Sequence, residues 1–280
     1  MAETQTASRW RDLGVRVAAA LVLMPAVLLC VWWGGVAYLL LLIAAGVGVA
    51  WEWCQMAFGE EADRFQLPVY GLTLIAALLC AAFSPAWYSI VALAAGWLVS
   101  IALASRSAPF GFWRAAGLPY LTLPLLALFH LRAEDGFGFL ALIWLLMVIW
   151  ATDTFAYFAG RLIGGPKLSR LSPKKTWAGL GGGAVGAGLA SAIVGIIAKL
   201  PVIWIPVLLA AIIAVVSQIG DIFESAAKRH FNVKDSSSLI PGHGGILDRI
   251  DGLMFAALFC VGLALLRGSD LYNASRFLFW

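Results

Sequence analysis

Carboxylates inside otherwise apolar stretches are the first residues to account for. Asp221 and Glu224 stand near the end of one long apolar run, and Asp153 stands about two turns before the end of another. A charged group at that depth costs about 2.5–3.5 kcal/mol on insertion scales, so it is expected to face a polar cavity or a cation rather than lipid. Ser217, Asp221, Glu224, Ser225 and Lys228 recur at steps of three and four, which places them on one helix face. Asp248 and Asp251 share a face at the start of the next run. Hard oxygen donors without a His/Cys cluster favour Mg²⁺, which keeps waters and takes one or two carboxylates plus phosphate oxygens. Asp221, Asp248, Asp251 and Asp153 are the candidate metal ligands.

Cations surround these acids. Lys228, Arg229, Lys234 and Arg249 occupy one polar segment with His243, and Lys167, Lys174 and Lys175 occupy another. Acids that hold a metal, beside lysines that neutralise charge on phosphoryl oxygens, are what nucleotidyl transfer requires. The turn Pro241-Gly242-His243-Gly244-Gly245 lets backbone N–H groups approach phosphate closely. Ser172-Pro173-Lys174-Lys175-Thr176 places two lysines beside hydroxyls, a pattern suited to a triphosphate. By contrast, Gly181-Gly182-Gly183-Ala184-Val185-Gly186 matches G-x-G-x-x-G only formally. No strand precedes it, and close helix packing explains it better. Glu52, between Trp51 and Trp53, reads as an interfacial residue at a helix end.

The elements that must position these groups are membrane helices. Of 280 residues 62% are hydrophobic, against 19 basic and 15 acidic, which excludes a soluble domain. A bilayer core of about 30 Å takes roughly 20 apolar residues per helix. Nine spans are predicted, at about 15–33, 36–54, 67–83, 86–104, 117–131, 137–160, 178–199, 202–224 and 250–266. The fifth carries Pro119 and Pro124. The first reads as a retained helix with no separate signal peptide.

Charge gives an independent test of that count. With the N-terminus cytoplasmic, only Arg132, Lys199, Arg267 and Arg276 of the 19 basic residues fall outside, as the positive-inside rule asks. The segments at about 161–177 and 225–249 are then both cytoplasmic. Cys30, Cys54, Cys80 and Cys260 lie in apolar runs without C-x-x-C spacing, so neither a disulfide framework nor a zinc site is expected. The chain divides into N-terminal helices, 1–131, and a C-terminal catalytic part, 132–280. The fold class is an all-α polytopic bundle.

These motifs resemble the phosphatidate cytidylyltransferase, or CDP-diacylglycerol synthase, family. Ser225, Lys228-Arg229, Lys234-Asp235, Ser237, Ile240-Pro241, His243-Gly244-Gly245-Ile246, Asp248-Arg249 and Asp251 fall on that family's C-terminal signature in register. Ala227 departs from it, standing where a larger aliphatic residue is usual. The resemblance extends to Asp153 through Gly160, to Ser172 through Thr176, and to Gly220-Asp221 with Glu224. It implies that CTP and phosphatidate give CDP-diacylglycerol and pyrophosphate, with Mg²⁺ and a second cation such as K⁺. It also implies a bacterial inner membrane, a cytoplasmic active site and a homodimer.

On this reading Asp221, Asp248, Asp251, Lys228, Arg229 and His243 are catalytic, His243 either donating to pyrophosphate or fixing the turn. Ser172, Lys174, Lys175, Thr176, Lys167, Lys234, Asp235, Gly244, Gly245 and Arg249 bind substrate. The partners are the two substrates and membrane lipids, and no nucleic acid is expected. A lipid kinase would release a nucleoside diphosphate instead of pyrophosphate. An ion-coupled transporter would show paired broken helices in repeated halves, and none is apparent.

Overall fold

The computed structural model describes residue 19 and residues 21–59, 65–107, 111–132, 136–169, 171–240, 242 and 244–279. Arg9, Arg11, Arg16, Arg64, Arg170, Pro241 and His243 lie outside the described residues. Nine α-helices run through the described part, with no strand among those residues. They are α1 (Leu21–Trp33), α2 (Gly35–Phe58), α3 (Gln66–Phe83), α4 (Trp87–Ser107), α5 (Phe112–Leu131), α6 (Gly138–Leu162), α7 (Trp177–Ile197), α8 (Trp204–His230) and α9 (Leu247–Leu266). A 3₁₀ segment, Leu271–Leu278, follows. Helices α2 to α9 are each long and apolar enough to cross a bilayer, while the described part of α1 is shorter. The chain is a polytopic membrane protein.

Each predicted span has its helix, with the largest differences at α5 and α8. Helix α5 begins at Phe112, five residues before the expected start, and runs unbroken through Pro119 and Pro124. Proline at 119 has no N–H for the carbonyl of Ala115, one turn earlier. The Trp97 indole donates to that oxygen instead, at 2.6 Å. A neighbouring helix thus satisfies the freed backbone group, as a proline inside a membrane helix requires. Packing continues round α5, which touches α2, α3, α4, α6 and α9. Helix α8 continues six residues beyond its predicted end, to His230, and carries the acids' face with it.

Lipid is the solvent here, so large apolar side chains such as Leu72, Leu98 and Ile197 lie exposed on the outer faces. The interior is set apart by small and polar residues as much as by apolar ones. Helix α6 packs most extensively on α7. A Cβ at Gly186 would lie 2.4 Å from the Phe155 ring, and one at Gly182 would lie 2.2 Å from Ala159 Cβ. The glycine run therefore serves close helix contact. Trp144 Nε1, fully buried, donates to Ser191 Oγ across the same interface at 2.8 Å.

At one end of the bundle Arg132 donates to the carbonyls of Val31 (2.7 Å) and Trp32 (3.3 Å), closing the C-terminus of α1. Arg267 likewise binds the carbonyls of Phe277 and Phe279. Asn273, which fits a glycosylation acceptor pattern, hydrogen-bonds Asp270 there at 2.8 Å. The polar segments 163–176 and 231–246 connect α6 to α7 and α8 to α9 at the other end. All four cysteines are free thiols.

Candidate active site

Helix α8 delivers the central acids. Lys228 Nζ pairs with Glu224 Oε2 and with Asp248 Oδ1, both at 2.6 Å, and so ties α8 to α9. Lys175, from the segment before α7, pairs with Asp221. Asp251 lies one turn further along α9, within electrostatic reach of Asp221 and Glu224. Asp153 on α6 is exposed and lies within electrostatic reach of Asp221, Lys175 and Arg249. Acids from α6, α8 and α9 therefore converge.

Two glycines permit the approach of α8 to α9. A Cβ at Gly252 would lie 2.8 Å from Asp221 Oδ1, and one at Gly220 would lie 2.7 Å from the Asp251 carbonyl. Each flanks an acid, so either side chain would force the carboxylates apart. Ser217 completes this face, with 1% of its surface exposed.

The glycine-rich turn rests against Asp248. Ile240 N donates to Gly244 O at 2.9 Å, and Gly242 and Gly244 adopt φ of +74° and +84°. That is the left-handed region glycine tolerates best. Asp248 accepts from Gly245 N (3.0 Å), Ser236 N (3.1 Å) and Ser236 Oγ (3.0 Å) besides Lys228. Its carboxylate organises the turn as well as facing the lysine.

The remaining predicted residues divide by exposure. Lys167, Lys174, Arg229, Lys234, Asp235 and Arg249 are exposed, Arg229 donating to the Val233 carbonyl at 3.4 Å. Thr176 Oγ1 accepts from Gly179 N at 3.0 Å and caps α7, and the Ser172 carbonyl accepts from Lys175 N at 3.1 Å. His243 lies outside the described residues.

Glu52 corrects the sequence reading. It is not an interfacial side chain but is fully buried, and its carboxylate reaches Ser236, Ser237, Ile246 and Leu247. Tryptophans on both sides hid this, because they mark an interface wherever they flank a charge. The available signal was Gly48, one turn earlier on the same face. Ser236 was likewise missed, since it lies beside the signature position Ser237 and not on it.

Among the described residues, no three His, Cys, Asp or Glu side chains form a ready-made metal cage. Lys175 holds Asp221, and Lys228 holds Glu224 and Asp248. Magnesium nevertheless needs only one or two carboxylates, with waters and phosphate oxygens supplying the rest. Glu224 Oε1 is moreover buried without a hydrogen-bond partner among the described residues. The donor set fits a hard divalent cation that arrives with a phosphorylated substrate.

Apolar helices with acid–lysine pairs gathered at one end, beside a glycine turn, define a membrane-embedded phosphoryl- or nucleotidyl-transfer enzyme. The chain belongs to the cytidylyltransferase family, whose model matches residues 14–266. It is 38% identical over 271 residues to a phosphatidate cytidylyltransferase of Brucella abortus biovar 1 (strain 9-941), covering 96% of this chain and 99% of the relative. It is 39% identical over 247 residues to the protein of that name in Brucella suis biovar 1 (strain 1330), covering 88% and 91%. A phosphatidate cytidylyltransferase of Bacillus subtilis (strain 168) is 43% identical over 132 residues, 46% of this chain and 49% of the relative.

Proposed function

We propose that the chain joins CTP to phosphatidate, giving CDP-diacylglycerol and pyrophosphate for phospholipid synthesis. The observation that carries this reading is the convergence of Asp221, Asp251, Glu224 and Asp248 with Lys175 and Lys228 beside a glycine-rich turn. Family membership and the relatives' names supply the two substrates.

The phosphate oxygen of phosphatidate attacks the α-phosphorus of CTP in line. One P–O bond forms there as the bond to the β-phosphate breaks, and pyrophosphate leaves. Phosphatidate is already anionic at neutral pH, so alignment and charge neutralisation matter more than a strong base. Lys175 and Lys228 are the buried-side cations that meet phosphate, and the exposed Lys174, Lys167, Arg229 and Arg249 draw the nucleotide in. Ser172, Thr176, Lys234, Asp235 and Gly244 line its path, while the Gly245 amide is taken by Asp248, and His243 would donate to pyrophosphate or fix the turn.

Asp221 and Asp248 would hold Mg²⁺, with Asp251 and Asp153 as supporting acids and K⁺ as a second cation. When bound, that metal neutralises phosphoryl charge and orients the reacting groups. The site faces the cytoplasm of a bacterial inner membrane, where CTP is available and where the basic residues concentrate.

Incubating the purified protein with phosphatidate, Mg²⁺ and each of the four nucleoside triphosphates tests this. A nucleotide-linked lipid and pyrophosphate are expected with CTP. Phosphate transfer releasing a nucleoside diphosphate would assign a kinase instead.

A further inference from the structure

We propose that Glu52 is a positioning residue for the reaction: from α2 it seats the glycine-rich turn and the start of α9, and thereby fixes Asp248. The proposal rests on the nucleotidyl-transfer reading given above.

Glu52 has no exposed surface. Its Oε1 accepts from Ser237 Oγ and from Ile246 N, both at 2.7 Å. Its Oε2 accepts from Leu247 N at 2.8 Å and from Ser236 Oγ at 3.2 Å. The amides of Ile246 and Leu247 are among the first of α9, where a helix leaves N–H groups unsatisfied and its dipole favours an anion. A carboxylate from a helix almost two hundred residues away in sequence thus serves as their acceptor.

The surrounding shape is built for this contact. Gly48 lies one turn before Glu52, and a Cβ there would sit 2.4 Å from Ile246 Cδ1. A Cβ at Gly245 would sit 1.8 Å from Ser236 Oγ and 2.7 Å from Glu52 Oε1. Small residues on both partners let the turn close onto the acid.

Ser236 is the link to chemistry. Its hydroxyl lies 3.2 Å from Glu52 Oε2 and 3.0 Å from Asp248 Oδ2. One hydroxyl proton serves one carboxylate at a time, so Glu52 and Asp248 share Ser236, and the Ser236 and Gly245 amides that also hold Asp248 belong to the segment that Glu52 seats. A glutamine at 52 keeps the size but turns an NH₂ toward donors, and two of the four acceptor contacts are lost.

The test is Glu52→Gln, with Ser237→Ala as a milder variant, in the full-length protein. Hydrogen exchange is read without substrate, and turnover of CTP and phosphatidate is read with it. For Glu52→Gln, exchange at the Ile246 and Leu247 amides should speed up about tenfold while α6 and α7 remain as protected as before. The same variant should lose about tenfold or more in kcat, with KM for phosphatidate within about twofold. Ser237→Ala should show a smaller loss of the same kind, which decides the matter if Glu52→Gln does not fold. Unchanged kcat in a variant of an active wild type would overturn the proposal, as would faster exchange throughout the bundle. A wild type that makes no nucleotide-linked lipid would remove the underlying reading instead.

Discussion

Lys228 is held between Glu224 and Asp248 with 12% of its side chain exposed, so one ammonium pairs with two carboxylates at once. Replacing it by methionine keeps the stem and leaves both carboxylates without their ammonium. Removing one partner of a buried pair typically costs about 3–5 kcal/mol. Lys228→Met is therefore expected to lower the unfolding midpoint in detergent as well as to abolish turnover. Activity lost with an unchanged midpoint would mean that the lysine serves substrate alone. At this scale the sequence was informative wherever residues follow one another on a helix: Asp221, Glu224 and Lys228 share a face because of their spacing. It did not reveal the partners of Glu52, which lie 184 to 195 positions away. No local pattern encodes a contact of that separation. The pairing of Lys175 with Asp221 rather than with a free phosphate site is a similar case, since it depends on how α7 meets α8.

At the scale of elements, the α6–α7 interface depends on residues without side chains. Gly186→Val would drive a branched side chain into the Phe155 ring, and overpacking of this kind costs about 1–3 kcal/mol. The expected result is a lower unfolding midpoint with weaker activity, because α6 and α7 carry Asp153 and the segment before Thr176. Thr176→Ala removes the cap of α7 and should cost about 1 kcal/mol, whereas Thr176→Ser should retain most of that. Equal stability of the two would contradict the capping role. The spans themselves were legible, because runs of about twenty apolar residues separated by polar breaks admit few alternatives. Which face of each helix turns inward was not, because lipid accepts the same side chains as the interior does. Helix α5 illustrates the point: read as a span of about 117–131 with two prolines, it is a longer and extensively buried helix, and the carbonyl that Pro119 leaves free is met by Trp97 on α4.

At the scale of the whole molecule, the polar segments 163–176 and 231–246 gather at one end, while Arg132 and Arg267 satisfy backbone carbonyls at the other. Single cysteines at Lys174 and at Ser269, in a protein whose four native cysteines are replaced, should report this asymmetry in intact cells. Position 174 is expected to resist a membrane-impermeant thiol reagent and position 269 to react with it. The reverse pattern would place the acids on the wrong side for CTP. Helices α8 and α9 bring carboxylates together, and there a nucleotide and a lipid phosphate are expected to meet. The most direct measurement is CTP-dependent turnover of purified Asp221→Asn, with its helical content and unfolding midpoint recorded in the same sample. The account predicts a folded protein with activity reduced by about a thousandfold or more, because the change removes charge at the reacting centre. Near-normal turnover would contradict it.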